Sequence, residues 1–178
     1  TAGEAPRKKE MKAAAISMAK KAERLGVDIR MNTKVTPEMI EEIKPHTVMN
    51  AIGAESIIPP IPGVDKAFVK DSHDVLDGKA EATGNVVVIG GGMVGMETAE
   101  YLAEKGAKVS VLEMLPDICS DMGTTRKICM GEEIQKSGII PVTSVKVTEI
   151  GDNVVIGEKD GEKVEFPCDT AVLAIGAK

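Results

Sequence analysis

The stretch NVVVIGGGMVGMETAEYLAEKGAKVSVLEM, residues 85–114, leaves few folds open. An apolar run breaks at three consecutive glycines, an amphipathic run follows, and a second apolar run ends on an acid. An unbroken apolar run of this length suits a strand covered on both faces, and such strands are parallel and alternate with helices. Gly90, Gly91, Gly92, Met93, Val94 and Gly95 form G-x-G-x-x-G between that strand and that helix. Alone the motif is weak. With a strand before it, a helix after it and an acid closing the next strand, it predicts a β-α-β turn of the dinucleotide type.

Each position has a physical task. Gly90 permits the sharp strand-to-helix turn. Gly92 lets a pyrophosphate approach the backbone with no Cβ in the way. Gly95 lets the helix pack closely on the strand. The unpaired N–H groups and positive dipole end of the helix then face the phosphates. Glu113, 18 residues past Gly95, stands where a carboxylate can accept both hydroxyls of an adenosine ribose. Met114 and Leu115 follow it, so a 2′-phosphate would meet an unneutralised carboxylate, and NADH is favoured over NADPH. A methyltransferase also uses a glycine-rich turn plus an acid, but the full third glycine and a later A-I-G-A strand weigh against it.

Around this unit, residues 4–25 read as a helix rich in Ala, Lys and Glu, with Pro6 in its first turn and Gly26 as its C-terminal cap. VDIRMN, residues 27–32, reads as a short strand, TPEMIEEIK as a short helix, and HTVMNAIG, residues 46–53, as a buried strand ending at a glycine. Pro59, Pro60 and Pro62 make the next stretch stiff and extended. Residues 64–84 read as a connector with a helical turn at SHDVLDG. Residues 121–138 read as a helix with Gly131 as a weak spot, and GIIPV as a short strand. From about 145 to 166 the pattern turns to hairpins, with Asp160-Gly161 as a turn. DTAVLAIGAK is a buried strand, and its A-I-G-A echoes the one at 51–54. Both follow similar segments, GIIPVTSVKVT and GVDIRMNTKVT, as two homologous dinucleotide-type halves would.

The expected fold class is therefore α/β: a Rossmann-like dinucleotide-binding domain over 82–178 with an antiparallel β insert, and an incomplete second half over 1–81. The exposed strand edge of that half would be open to another chain, a second copy included. A net charge of −6, from 22 basic and 28 acidic residues, argues against nucleic acid as partner. No run reaches the ~18 apolar residues of a membrane helix, so no membrane association is expected. Cys119, Cys129 and Cys168 are odd in number and scattered, with no CxxC, as in a cytoplasmic protein with reduced thiols. That argues against an iron–sulfur site or a redox disulfide within this segment, and no metal site is expected. His46 and His73 read as structural, the Lys8, Lys9, Lys12, Lys20 and Lys21 series as a solvated helix face, and the methionines as core filler.

VVVIGGGMVGMETAEYLAEKGAKVSVLEMLPDI, taken with the two A-I-G-A segments, resembles the pyridine-nucleotide-disulfide-oxidoreductase superfamily. Within it, the chain is most similar to the C-terminal part of old-yellow-enzyme-like NADH:flavin oxidoreductases, which include 2-enoate and 2,4-dienoyl-CoA reductases. The likeness covers nearly the whole chain and is most specific over 85–121. It implies an NADH domain inserted into an FAD domain, with A-T-G strands at the crossings; here Ile52 and Ile175 replace the threonine, and Gly176 marks the return crossing. It implies that Glu97, two residues past Gly95, lies near the nicotinamide. The alternative for Glu97 is an exposed first-turn acid favourable to the helix dipole. The family's FAD turn, its FMN-binding barrel, its iron–sulfur cysteines and its substrate acid/base residues have no match here. The chain then reads as a segment of a larger flavoenzyme, starting at Thr1, with NADH bound on this segment and FAD held elsewhere, and with FMN and an iron–sulfur cluster in the parent. Such an enzyme would reduce an activated C=C bond. No catalytic residue is assigned. A nucleotide-sensing or assembly module without turnover is the alternative.

Overall fold

The structure is a computed structural model that describes residues 3–120 and 122–178; Thr1, Ala2 and Asp121, which the sequence reading places at the start and inside a helix, lie outside the described residues. The chain runs α1 (Lys9–Arg24), α2 (Pro37–Ile43), β1 (Val69–Asp71), α3 (Ser72–Leu76), β2 (Asn85–Ile89), α4 (Met93–Glu104), β3 (Lys108–Leu112), α5 (Thr124–Ser137), β4 (Ile140–Val142), β5 (Lys146–Ile150), β6 (Val154–Lys159), β7 (Glu162–Pro167) and β8 (Thr170–Leu173).

The core is a five-stranded sheet in the order β1-β8-β2-β3-β4, and every pairing in it is parallel. The VVVI run of β2 is unbroken because both faces of that strand are covered. Val86 and Val88 face one cluster with Met96, Ala99 and Leu102 of α4 and Ile134 of α5. Val87 and Ile89 face the other, with Leu112, Val145, Ile150, Val155 and Leu173. That second cover is the three-stranded antiparallel sheet β5-β6-β7. Asp160 and Gly161 both take positive φ, 53° and 82°, as a tight hairpin turn whose twist matches its strands requires. The parallel core and the antiparallel insert are thus as the sequence indicates.

In the first 60 residues the short helix expected at TPEMIEEIK forms as α2, with Thr36 at its N-cap, but other parts depart from expectation. Helix α1 begins at Lys9, because Arg7 at φ 60° turns the chain just before it; Gly26, at φ 78°, follows its C-terminus as anticipated. Neither 27–32 nor 46–53 is a strand. Val27, Ile29, Met31, Val48, Met49 and Ile52 are all exposed. A strand needs a neighbour for its N–H and C=O groups, and among the described residues none lies beside either segment. The connector holds a strand that the sequence did not announce: β1 pairs with β8 and extends the sheet. The two A-I-G-A segments meet where the chain leaves β8: Glu55 N–H donates to Lys178 C=O and Lys178 N–H to Glu55 C=O, each at 2.9 Å. Only some methionines are core. Met96 is fully buried, whereas Met18, Met31, Met49 and Met114 are exposed.

Candidate functional site

The glycine turn sits at the carboxyl end of β2, where open α/β sheets place their ligand crevices. Its four glycines are glycine for different reasons. Gly90 has φ 110°, and a methyl there would lie 2.4 Å from Ala174 O. At Gly91 a methyl would meet Glu113 Cβ at 2.8 Å and Ile118 Cγ2 at 3.0 Å. At Gly95 it would lie 1.9 Å from Gly90 O, so helix and turn touch backbone to backbone. Gly92 differs. Its φ of −72° suits any residue, and a methyl there would find nothing within 4 Å. The protein's own packing explains three glycines and leaves the fourth facing open space, at the N-cap of α4. Met93 and Val94, the first helical residues, are about two-fifths exposed beside it (39% and 37%).

Glu113 follows β3 directly and reaches back across the turn. One carboxylate oxygen accepts from Gly91 N–H at 2.7 Å, and the other from Leu115 N–H at 2.8 Å. These two bonds use half of the carboxylate's four acceptor directions, so two hydroxyls could still be accepted. Below it, Cys119 N–H donates to Gly91 C=O at 2.8 Å and anchors the loop after β3 to the turn.

Glu97 lies on α4 with its side chain mostly buried, and its carboxylate is already engaged by cations. Lys8 Nζ bonds its Oε1, and Arg126 Nη2 approaches the same oxygen at 3.4 Å. Neither cation was assigned here from sequence. The sequence reads Lys8 and Lys12 as part of a solvated helix face, but Lys8 precedes α1 and is tied to α4, and Lys12 bonds Glu4. The signal missed was backbone, not composition: the positive φ at Arg7 redirects the chain. Arg126 sits in the first turn of α5, where nothing in the sequence tells which neighbour it faces. Gly176 lies just past β8, at φ 110°, and its C=O accepts from Ile57 N–H at 3.0 Å. Since Ala174 O and Ile175 N crowd Gly90, the stretch that follows β8 runs beside the glycine turn. His73 has a partner that sequence did not show, Ser56 Oγ at 3.3 Å from Nδ1; His46 is exposed.

Residues 13–178 match the family described as pyridine nucleotide-disulphide oxidoreductase. The chain belongs to this family. As a pyridine nucleotide-disulphide oxidoreductase it is 42% identical over 173 residues to bilirubin reductase of Mediterraneibacter gnavus (strain CC55_001C), covering 97% of this chain and 27% of that one. It is also 42% identical over 158 residues to an NADH oxidase of Thermoanaerobacter brockii, covering 86% and 24%. The solved 2-naphthoyl-CoA reductase superposes with a TM-score of 0.89 at 29% identity, covering 99% of this chain and 27% of that chain. The chain therefore spans about a quarter of the length of these relatives.

Cys119 and Cys168 are buried, and Cys129 is exposed. Burial pushes the Cys168 thiol up to about 11, with Asp169 adding to the shift. Since the thiolate is the reactive form, a disulfide-exchange reagent at pH 8 should label one thiol per native chain, Cys129, and three after denaturation. Rapid labelling of Cys168 in the native chain would contradict its burial. Among the described residues no helix is long and apolar enough to cross a membrane.

Proposed function

We propose that this chain is the NADH-binding part of a larger flavin oxidoreductase, with residues 82–178 as the nucleotide domain and 1–81 as part of an FAD-type domain and connector. The open side of Gly92 is the observation that carries the reading. Among the described residues no atom requires glycine there, and a pyrophosphate lying against the backbone does. Gly90, Gly91, Gly92, Met93, Val94 and Gly95 would cradle it at the N-terminus of α4. Glu113 would take the adenosine ribose. Glu97 would lie toward the nicotinamide, with Gly176 flanking it from the crossing.

A bound NADH would be the source of hydride, and FAD held by the rest of the enzyme its acceptor. This chain's residues bind the phosphates, fix the ribose and orient the ring. Two relatives are named as reductases, of bilirubin and of 2-naphthoyl-CoA. Their likeness supports a reductase of an activated C=C bond for the whole enzyme, which would be cytoplasmic and would carry FMN and an iron–sulfur cluster outside this segment. The exposed apolar side chains of α1 and of residues 27–52 fit a surface that the remainder of the flavoenzyme covers.

Titration calorimetry tests the reading. The 178-residue chain is expected to bind NADH at least about tenfold more tightly than NADPH, since a 2′-phosphate would face the Glu113 carboxylate. Equal affinities would remove the ribose role of Glu113, and no binding of either would remove the nucleotide reading.

A further inference from the structure

The flank of α4 that runs away from the glycine turn is acidic and largely closed to water. Glu97 and Glu100 have side chains only 12% and 9% exposed. Glu104 and, from α5, Glu133 add to the same field. Burial pushes the Glu100 carboxyl up; Arg7 opposes this, and Glu104, Glu133 and Glu97 reinforce it.

The cations that neutralise this flank come mostly from outside the helix. Arg7 Nη2 bonds Glu100 and, at 2.7 Å, Glu133. Lys8 bonds Glu97. Arg126 and Lys136 of α5 complete the set, at 3.4 Å from Glu97 and 3.7 Å from Glu133. Arg7 holds a left-handed φ of 60°, which costs a non-glycine residue energy and persists only where its surroundings hold it. The segment carrying it is small and well tied: Ala5 is buried, Glu4 bonds Lys12, and Met11 N–H donates to Lys8 C=O at 3.0 Å. Helix α1 itself buries no residue, so this segment, and not the helix, fastens the N-terminal part to α4.

We propose that the Arg7–Lys8 step is an electrostatic clasp that sets the affinity of the nucleotide site. Docked, it cancels carboxylates that would otherwise repel the phosphates at the N-terminus of α4. Undocked, it leaves those carboxylates beside the site. Binding of a dinucleotide and docking of the segment therefore favour each other, and by linkage each strengthens the other equally. The FAD-side segment would thereby report its placement to the NADH side. This inference rests on the proposed nucleotide reading.

ADP-ribose is the probe, because it carries the pyrophosphate and lacks the nicotinamide near Glu97. At pH 8 and ~0.02 M salt, Arg7→Gln is expected to weaken its binding about three- to tenfold, and by less than about twofold at ~0.5 M salt, where the field is screened. Arg7→Gln with Glu100→Gln, which replaces the charged pair by a neutral one, should return affinity to within about twofold of the parent chain. Lys8→Gln removes the neighbouring charge without touching Glu100 and should show the same salt-dependent loss, an independent test if Arg7→Gln does not fold. Parent-like affinity of the folded single variants at low salt, a loss indifferent to salt, or no recovery in the paired variant would each overturn the clasp. If the parent chain binds neither ADP-ribose nor NADH, the nucleotide reading falls and the clasp with it. If the parent binds and the single variants match it, only the clasp falls.

Discussion

One methyl added at Gly92 and one added at Gly95 are expected to fail in opposite ways. Gly92→Ala keeps an ordinary backbone conformation and meets nothing within 4 Å. Its stability should stay within about 1 kcal/mol of the parent, the range of an N-cap change. The same methyl projects into the space proposed for the pyrophosphate, so NADH affinity should drop by tenfold or more. Gly95→Ala places its methyl 1.9 Å from Gly90 O. Relief requires α4 to lift from β2, yet Met96 and Ala99 in its next turn are fully buried against the sheet. Overpacking of this kind costs about 1–3 kcal/mol or more. Denaturant unfolding and calorimetry on both variants separate the two effects. Loss of stability in Gly92→Ala with NADH binding intact would mean that the open side of Gly92 serves the fold and not a ligand.

The parallel core was legible because its signals are local. VVVI, the glycine turn, the helix and the second apolar run are contiguous in sequence and bury one another, so pattern and packing agree. The hairpin at Asp160-Gly161 was legible for the same reason. Failures fell where structure depends on partners distant in sequence. HTVMNAIG has the composition of a buried strand but gains a ladder only if other strands flank it, and among the described residues none does. Strand β1 is three residues long and is made a strand by β8, about a hundred residues later. In the site, glycine spacing and Glu113 could be named because their roles follow from motif geometry. Lys8 and Arg126 could not, because a lysine before a helix and an arginine in a first turn look solvated until the fold brings Glu97 to them. Exposed methionines were misplaced because apolar character alone does not say which face an element presents.

Removing the Glu113 side chain should do two separable things. Its carboxylate accepts from Gly91 N–H and Leu115 N–H. Gly91 is buried, so in Glu113→Ala its N–H loses a charged acceptor, and water can replace that acceptor only by entering the turn. Leaving such a donor unsatisfied costs about 1–3 kcal/mol of stability. The same change should weaken NADH by a similar free energy, roughly five- to 150-fold, if ribose hydroxyls are lost too. Loosening of the turn alone would also weaken NADH, so the absolute affinity does not decide the role. The ratio of affinities does. A carboxylate that only braces Gly91 treats both nucleotides alike, and its loss would weaken NADH and NADPH in parallel. One that meets the ribose repels a 2′-phosphate, so its removal should cost NADH affinity while relieving NADPH, and the preference for NADH should collapse toward unity. Glu113→Gln sharpens the comparison. The amide oxygen can still accept one backbone bond and the size is kept, so stability should fall less than in Glu113→Ala, while the repulsion of the 2′-phosphate is gone in both. An unchanged NADH-to-NADPH ratio in both variants would leave Glu113 as a brace for the glycine turn and move nucleotide selection elsewhere on the chain.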